Sequence, residues 1–442
     1  MSIINNIFKD KNLLNLLLFG FIIRLALFFG LYPDASVFPD SGSYFHLAKK
    51  MSTFSLEGYS GERSPGYPIL LLFAIGKVKI LIIYQFLLGT ICSLFWYKTL
   101  VNFKFTNRES FCITILLQLF INVFFYETAF LIESFALFCM SIVIYIITKP
   151  NYSINKNYKV ELLLSIVLGY LVLIKPFFAY LPFLIYGLFT LKKFNFRNLI
   201  NKKLILFIFP LVVYFGWSYV NKINTGYFVS TTFFGLNLAQ NCVYFAEKSP
   251  DEFQWVGQPY AEFRDKTILE ERDVAMSIWN AYGEGKAFDS YGLSFVELSH
   301  EFGEYAKATI ISNPKDYAKQ VVTRSWLDFW EPSISWNEDK FRFNSVYNLF
   351  VKIWDVQKII LYTIVVVFIL ISFVVYIRAI YKRHIDTSFI IASFVIVPSI
   401  LQAMVTYGTN SRYSYPFDFI MVFMLLIFLK EKGIWNKLRK VI

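Results

Sequence analysis

Apolar residues in this chain come in repeated runs of roughly 20, the length that crosses the hydrocarbon core of a bilayer. Such runs fall near 13–32, 80–100, 110–124, 129–148, 160–175, 177–191, 203–221, 354–377, 387–405 and 415–430. They predict a mainly α polytopic membrane protein with about ten transmembrane helices. Of 442 residues, 56% are hydrophobic and 20% aromatic, more Phe, Ile and Leu than a soluble protein of this size would carry. The first run ends in polar residues without a small-residue cleavage site, so it is read as a retained helix and not a removed signal peptide. Charged residues at mid-span depth are taken to be essentially absent.

The formal net charge is +12, and its placement matters more than its size. Lys and Arg collect in short connectors: Lys9 and Lys11, 98–108, 149–159, 192–203, 378–383 and 430–440. Every second connector is basic, the positive-inside pattern, which puts both termini in the cytoplasm of an inner (plasma) membrane protein. The same distribution excludes a nucleic-acid patch and leaves the lipid bilayer as the partner of these cations. Cys92, Cys112, Cys139 and Cys242 have neither disulfide nor zinc spacing. The one Asn-x-Ser site, Asn151-Tyr152-Ser153, falls in a connector expected inside.

Three outer regions remain: 33–79, 222–350 and 406–413. The chain therefore divides into an N-terminal membrane region (1–221) carrying a first outer loop (33–79), an extracytoplasmic segment (222–350) and a C-terminal membrane region (351–442). Segment 222–350 reverses the charge balance, with 12 Lys/Arg against 18 Asp/Glu, and reads as a small mixed extracytoplasmic domain. Within it, Phe302, Tyr305, Ala306 and Ile310 have helical spacing over 297–311, and Pro314 opens a second helix running to Trp330. Residues 66–76 are read as a short, partly embedded segment.

The chemistry-bearing residues lie in the outer regions and at the outer ends of the runs. Asp40 is a general-base candidate at the membrane boundary, although taken alone its local sequence favours a helix N-cap ahead of Ser41-Gly42-Ser43-Tyr44. Asp34 is a lesser candidate. Glu133, with Glu127 beside it, sits at the outer edge of the fourth run, where a buried carboxylate needs a cavity or a partner. Lys175, near the outer end of the fifth run, together with Arg63 and Arg412, supplies three cations for one phosphate; an ion pair with Glu62 is the alternative for Arg63. Tyr44, Tyr67, Phe177, Phe178 and Tyr413 are candidate lining residues, and His46 is assigned to a helix surface.

The run followed by Pro39-Asp40-x-x-x-Tyr44-x-x-x-Ala48, then Arg63-Ser64-Pro65-Gly66-Tyr67-Pro68, resembles the membrane glycosyltransferases of the C-type (GT-C) fold. The nearest resemblance is to the bacterial protein O-mannosyltransferase and aminoarabinose transferase group, glycosyltransferase family 39. Leu131-Ile132-Glu133-Ser134-Phe135, Gly169 to Pro176, and Asn410-Ser411-Arg412-Tyr413-Ser414-Tyr415-Pro416 follow in that family's order. The resemblance implies inverting transfer of a hexose or pentose from a polyprenyl-phosphate donor to an acceptor hydroxyl on a glycan, lipid or protein. It puts Asp40 at the base position, Glu133 at the second acidic position, Arg63, Lys175 and Arg412 at phosphate-binding positions, and Tyr44, Tyr67 and Tyr413 around the substrate. It leaves a divalent metal possible, although Ser41 stands where many relatives have a second acidic residue. Two other classes compete: an O-antigen polymerase or ligase, with its catalytic residues in a late loop, and a lipid-linked-sugar flippase, which would carry charge at mid-span depth.

Overall fold

The computed structural model describes residues 10–438 apart from 75, 151, 153–157, 193–200 and 409. Lys9, Lys156, Lys193, Arg197, Arg439 and Lys440 of the expected basic connectors, and Asn151 and Ser153 of the Asn-x-Ser site, lie outside the described residues. Each apolar run lies on helix. Helix α1 (Lys11–Gly30) begins where Asp10 accepts the Asn12 N–H at 3.0 Å, an N-cap. After α2 (Pro39–Ser52) and the short α3 (Gly66–Phe73) come α4 (Val78–Asn102), α5 (Asn107–Gln118), α6 (Ile121–Thr128), α7 (Glu133–Ile147), α8 (Tyr158–Ile174) and α9 (Leu181–Lys192). Helix α10 (Ile208–Thr225) closes this part.

Among the described residues, six helical stretches are long and apolar enough to cross a membrane, or seven if one bent pair counts as a span. The protein is thus a multi-pass helical membrane protein. The other apolar helices are shorter: α7 has 15 residues, about 22 Å at 1.5 Å per residue, against a hydrocarbon core of about 30 Å.

The bent pair corrects the third apolar run, which the sequence predicts as one rod over 110–124. Instead α5 stops at Gln118, and α6 departs at 56° and remains helical through Thr128. The backbone groups freed by the break are met by one side chain. Gln357 accepts from the Ile121 N–H at 2.7 Å and donates to the Leu119 carbonyl at 3.1 Å. A helix break in an apolar interior needs such replacement partners.

Segment 222–350 is helical where a mixed domain was expected. It holds α11 (Phe234–Gln240), α12 (Gln254–Leu269), α13 (Ser277–Gly283), α14 (Phe295–Ser312), α15 (Pro314–Gln320), a π-helical turn (Val321–Ser325) and α16 (Trp326–Phe329). No strand forms among the described residues, only the isolated parallel bridge Ser36–Ala129. The two helices expected over 297–311 and 314–330 are present, the first started by a reciprocal Ser294–Glu297 capping box. The others escape a periodicity reading because they are short and joined by 3-10 turns. They surround their own apolar centre of Leu236, Phe245, Tyr260, Phe302 and Tyr305.

The chain ends with α17 (Asn344–Lys382), α18 (Thr387–Val405), α19 (Asn410–Ser414), α20 (Asp418–Glu431) and α21 (Ile434–Leu438). In α17 the apolar side chains Val366, Leu370, Phe373 and Ile380 are exposed, as a lipid-facing helix requires.

Candidate functional site

Five distant stretches of chain meet at or beside helix ends, and local sequence explains why each arrives there. Pro39 occupies the first turn of α2, where its missing N–H costs nothing. Ser41 Oγ accepts the Phe38 N–H at 2.9 Å and donates to the Phe130 carbonyl at 3.1 Å. Ser36 bonds to both neighbours of Ala129 across the bridge: its N–H donates to Thr128 O at 3.0 Å and its carbonyl accepts from Phe130 N–H at 2.8 Å. The start of α2 is thereby fastened to the 129–132 loop, and Glu133 is the first residue of α7.

The second pair of stretches is joined through Gly66. A Cβ there would stand 2.6 Å from the backbone of Leu173 and Ile174, so only glycine lets α3 start against the end of α8. Tyr170 closes the contact by donating to the Gly66 carbonyl at 2.9 Å. Pro176 forbids a helical residue before it, so Lys175 is extended at φ −152° and ψ 119° and leaves the helix. Arg63 is held by Tyr59, whose hydroxyl accepts from the Arg63 N–H and donates to its carbonyl, both at 2.5 Å. Arg412 lies in α19, just before the 3-10 turn Tyr415–Phe417.

The side chains converge. Asp40 Oδ1 accepts from Arg63 Nη2 at 2.6 Å and Oδ2 from Arg412 Nη2 at 2.5 Å. Arg412 Nε lies 3.6 Å from Glu133 Oε1. Lys175 Nζ sits over the ring of Tyr413, whose hydroxyl accepts from Arg412 at 3.0 Å. Arg63 also donates to Ser43 Oγ at 2.7 Å and lies between the rings of Tyr44 and Phe233, 5.1 and 4.7 Å from their centroids.

Two readings of Asp40 and Arg63 are corrected by this geometry. The N-cap position belongs to Phe38, so Asp40 does not cap α2 and both its oxygens go to guanidiniums. Arg63 pairs with Asp40, whereas Glu62 accepts from Ser60 at 2.8 Å. Burial pushes the Asp40 carboxyl up, but the Arg412 and Arg63 guanidiniums outweigh it and hold it well below the usual carboxylate range. Asp40 is therefore ionised in the resting site, and a weak base for as long as both arginines hold it.

The sequence candidates divide clearly. Asp40, Arg63, Glu133, Lys175, Arg412, Tyr413 and Tyr44 are together. Tyr67 stands behind them, fully buried, its ring 5.1 Å from that of Tyr44 and its hydroxyl donating to Gln85 at 3.0 Å. Glu127 is elsewhere, bound on both oxygens by Arg24 at 2.6 and 2.9 Å. Asp34 pairs with Lys340 at 3.3 Å, and His46 is exposed. Arg24 also corrects the expectation of uncharged span interiors: it lies mid-helix in α1 with 3% exposure. Its signal, a lone arginine inside an apolar run, is visible in the sequence. Phe233 gives no such signal, since it comes from a segment 170 residues away from Arg63 in the chain.

Glu133, Lys175, Phe177, Phe178, Tyr413 and Pro416 line a cavity of about 10 Å³. A far larger one, about 860 Å³, opens one residue from Arg412 between Ser411, the 326–331 turn and the Tyr362–Ile369 face of α17. Among the described residues no three His, Cys, Asp or Glu side chains gather as a metal set. The two carboxylates that do meet here each face a guanidinium, so the donor set does not fit a hard divalent cation, which wants several anionic or neutral oxygens together.

Fold and site define a multi-pass helical membrane protein with a buried ionic centre assembled from helix ends. No family model, curated protein or solved structure matches the chain.

Proposed function

We propose that this protein is a membrane glycosyltransferase that moves a sugar from a polyprenyl-phosphate donor to an acceptor hydroxyl, with inversion, on the extracytoplasmic face of the plasma membrane. In this reading about ten spans leave both termini inside, and segment 222–350 lies outside as the acceptor-facing part. The observation that carries it is the meeting of two carboxylates and three cations from five separate stretches of chain: Asp40, Arg63, Glu133, Lys175 and Arg412. Asp40 takes the proton of the acceptor hydroxyl. The oxygen then attacks the anomeric carbon, and the bond to the phosphate oxygen breaks. The departing phosphate keeps the electron pair, and its charge is received by Arg63, Arg412 and Lys175. Glu133, against Arg412, orients the arginine and the acceptor. No step is assigned to a metal.

The test is transfer from radiolabelled polyprenyl-phosphate sugars by the full chain in liposomes. Asp40→Asn should lose at least about a hundredfold in rate, the usual worth of a positioned base. Equal transfer by this variant would remove Asp40 from the reaction.

One observation favours a second reading, a lipid-linked-sugar flippase: the Arg24–Glu127 pair places charge inside the apolar region. That pair is closed in by Gly20 and Gly89, where an added Cβ would stand 2.1 Å from Gln118 and 1.8 Å from Glu127, which suits a fixed joint better than a path. Translocation of a labelled lipid-linked sugar in liposomes without acceptor would support the flippase. An O-antigen polymerase or ligase would instead keep activity in Asp40 and Glu133 variants and lose it on changes in 222–350.

A further inference from the structure

The site contains a mismatch that its fold does not repair. Two carboxylates face three cations, a formal surplus of one positive charge. Glu133 is 2% exposed, yet neither of its oxygens accepts a hydrogen bond, and Arg412 Nε and Lys175 Nζ are buried without a hydrogen-bond partner. Burying such atoms without a hydrogen bond is costly, and more so when they are charged. Asp40 is in the opposite condition. Its two oxygens bridge Arg63 and Arg412 at 2.6 and 2.5 Å, as two non-bridging oxygens of a phosphate would bridge a pair of guanidiniums.

We propose that Asp40 is an internal stand-in for the donor's phosphate: it occupies the Arg63–Arg412 clamp in the resting protein, and an incoming phosphate ester binds by exchange. The inference rests on the phosphate-clamp reading above and deepens it. The phosphate takes both guanidiniums, and its further oxygens meet Lys175 Nζ and Arg412 Nε, which otherwise make no hydrogen bond. The carboxylate, released from two cations, becomes a stronger base at the moment the donor arrives. Proton acceptance is thereby tied to donor occupancy, and a resting site without donor is held inactive.

Exchange makes an unusual demand: removing the charge that catalysis needs must improve binding. The full chain in detergent is titrated calorimetrically with farnesyl phosphate, and with farnesol as the uncharged control. Wild type should bind farnesyl phosphate better than farnesol, and Arg412→Gln should remove the difference. Asp40→Asn should bind farnesyl phosphate about tenfold more tightly than wild type, because the competing occupant is gone, with farnesol unchanged. If Asp40→Asn binds farnesyl phosphate no more tightly than wild type while Arg412→Gln still weakens it, the clamp stands and the exchange is overturned. If wild type does not distinguish farnesyl phosphate from farnesol, the clamp itself is overturned. Asp40→Ser, which removes the same charge with a smaller side chain, repeats the comparison should the asparagine variant fail to fold.

Discussion

Two ionic centres among the described residues, one around Arg24 and one around Asp40, are built on opposite principles. At the first, one arginine meets one carboxylate. All three guanidinium nitrogens of Arg24 donate: Nε and Nη2 to Glu127, and Nη1 to the Gly20 carbonyl and Gln118 Oε1 at 2.9 Å each. Charge is balanced, and glycines on α1 and α4 leave no slack around it. At the second, charge is unbalanced, four polar atoms are unsatisfied, and its contributors come from helix ends and from the loop that carries Arg63. A centre of the first kind joins helices. One of the second kind holds free energy in reserve for a ligand, the pattern expected of a functional site.

The comparison can be broken most forcefully at Arg24. Arg24→Gln should cost about 3–5 kcal/mol by leaving Glu127 charged and buried, read as a large fall in unfolding temperature in detergent, with transfer per folded molecule preserved. If stability held and transfer collapsed, the two centres would have exchanged roles.

Asp40 offers the second contrast, through pH. Its folded value is depressed, so the ion pair contributes stability above the ordinary aspartate range and loses it as pH falls toward the lowered folded value. Unfolding of wild type and Asp40→Asn should therefore differ by on the order of 2 kcal/mol at pH 7, and the gap should narrow on acidification below about pH 4. A gap independent of pH would mean that Asp40 is not held by the arginines.

The smallest effect belongs to Phe233. It stacks on Arg63 from segment 222–350, where Thr231 donates to the Glu62 carbonyl at 2.8 Å and Thr232 to that of Ser60 at 2.9 Å. Phe233→Leu keeps an apolar cover but loses the aromatic face, worth about 0.5–2 kcal/mol. A severalfold rise in donor KM with kcat nearly unchanged is expected. A fall in kcat alone would assign Phe233 a different part.

Much of this was legible in the chain itself. Apolar runs located the helices, because lipid forbids unpaired backbone and so couples hydropathy to helix. Glu133 and Lys175 stood at run ends, where charge is costly unless used, and Asp40, Arg63 and Arg412 stood in the outer loops beside them. What could not be read was pairing across distance. Nothing local joins Arg24 to Glu127, 103 residues on, or shows that Gln357 mends the break between α5 and α6. The N-cap reading of Asp40 failed for a related reason: Ser41 caps the chain by reaching backward, a choice made by its contact with Phe130. Segment 222–350 was misread as mixed because its helices are short and share one core, which blurs their period.

The 10 Å³ space beside Glu133 and Lys175 has a consequence in time. A volume of that size holds about one water molecule, and no sugar enters it until the helix ends part. If the proposed donor binds here, its observed association rate should rise with concentration and then level off at the rate of opening, and turnover would inherit that ceiling whatever the speed of the chemistry.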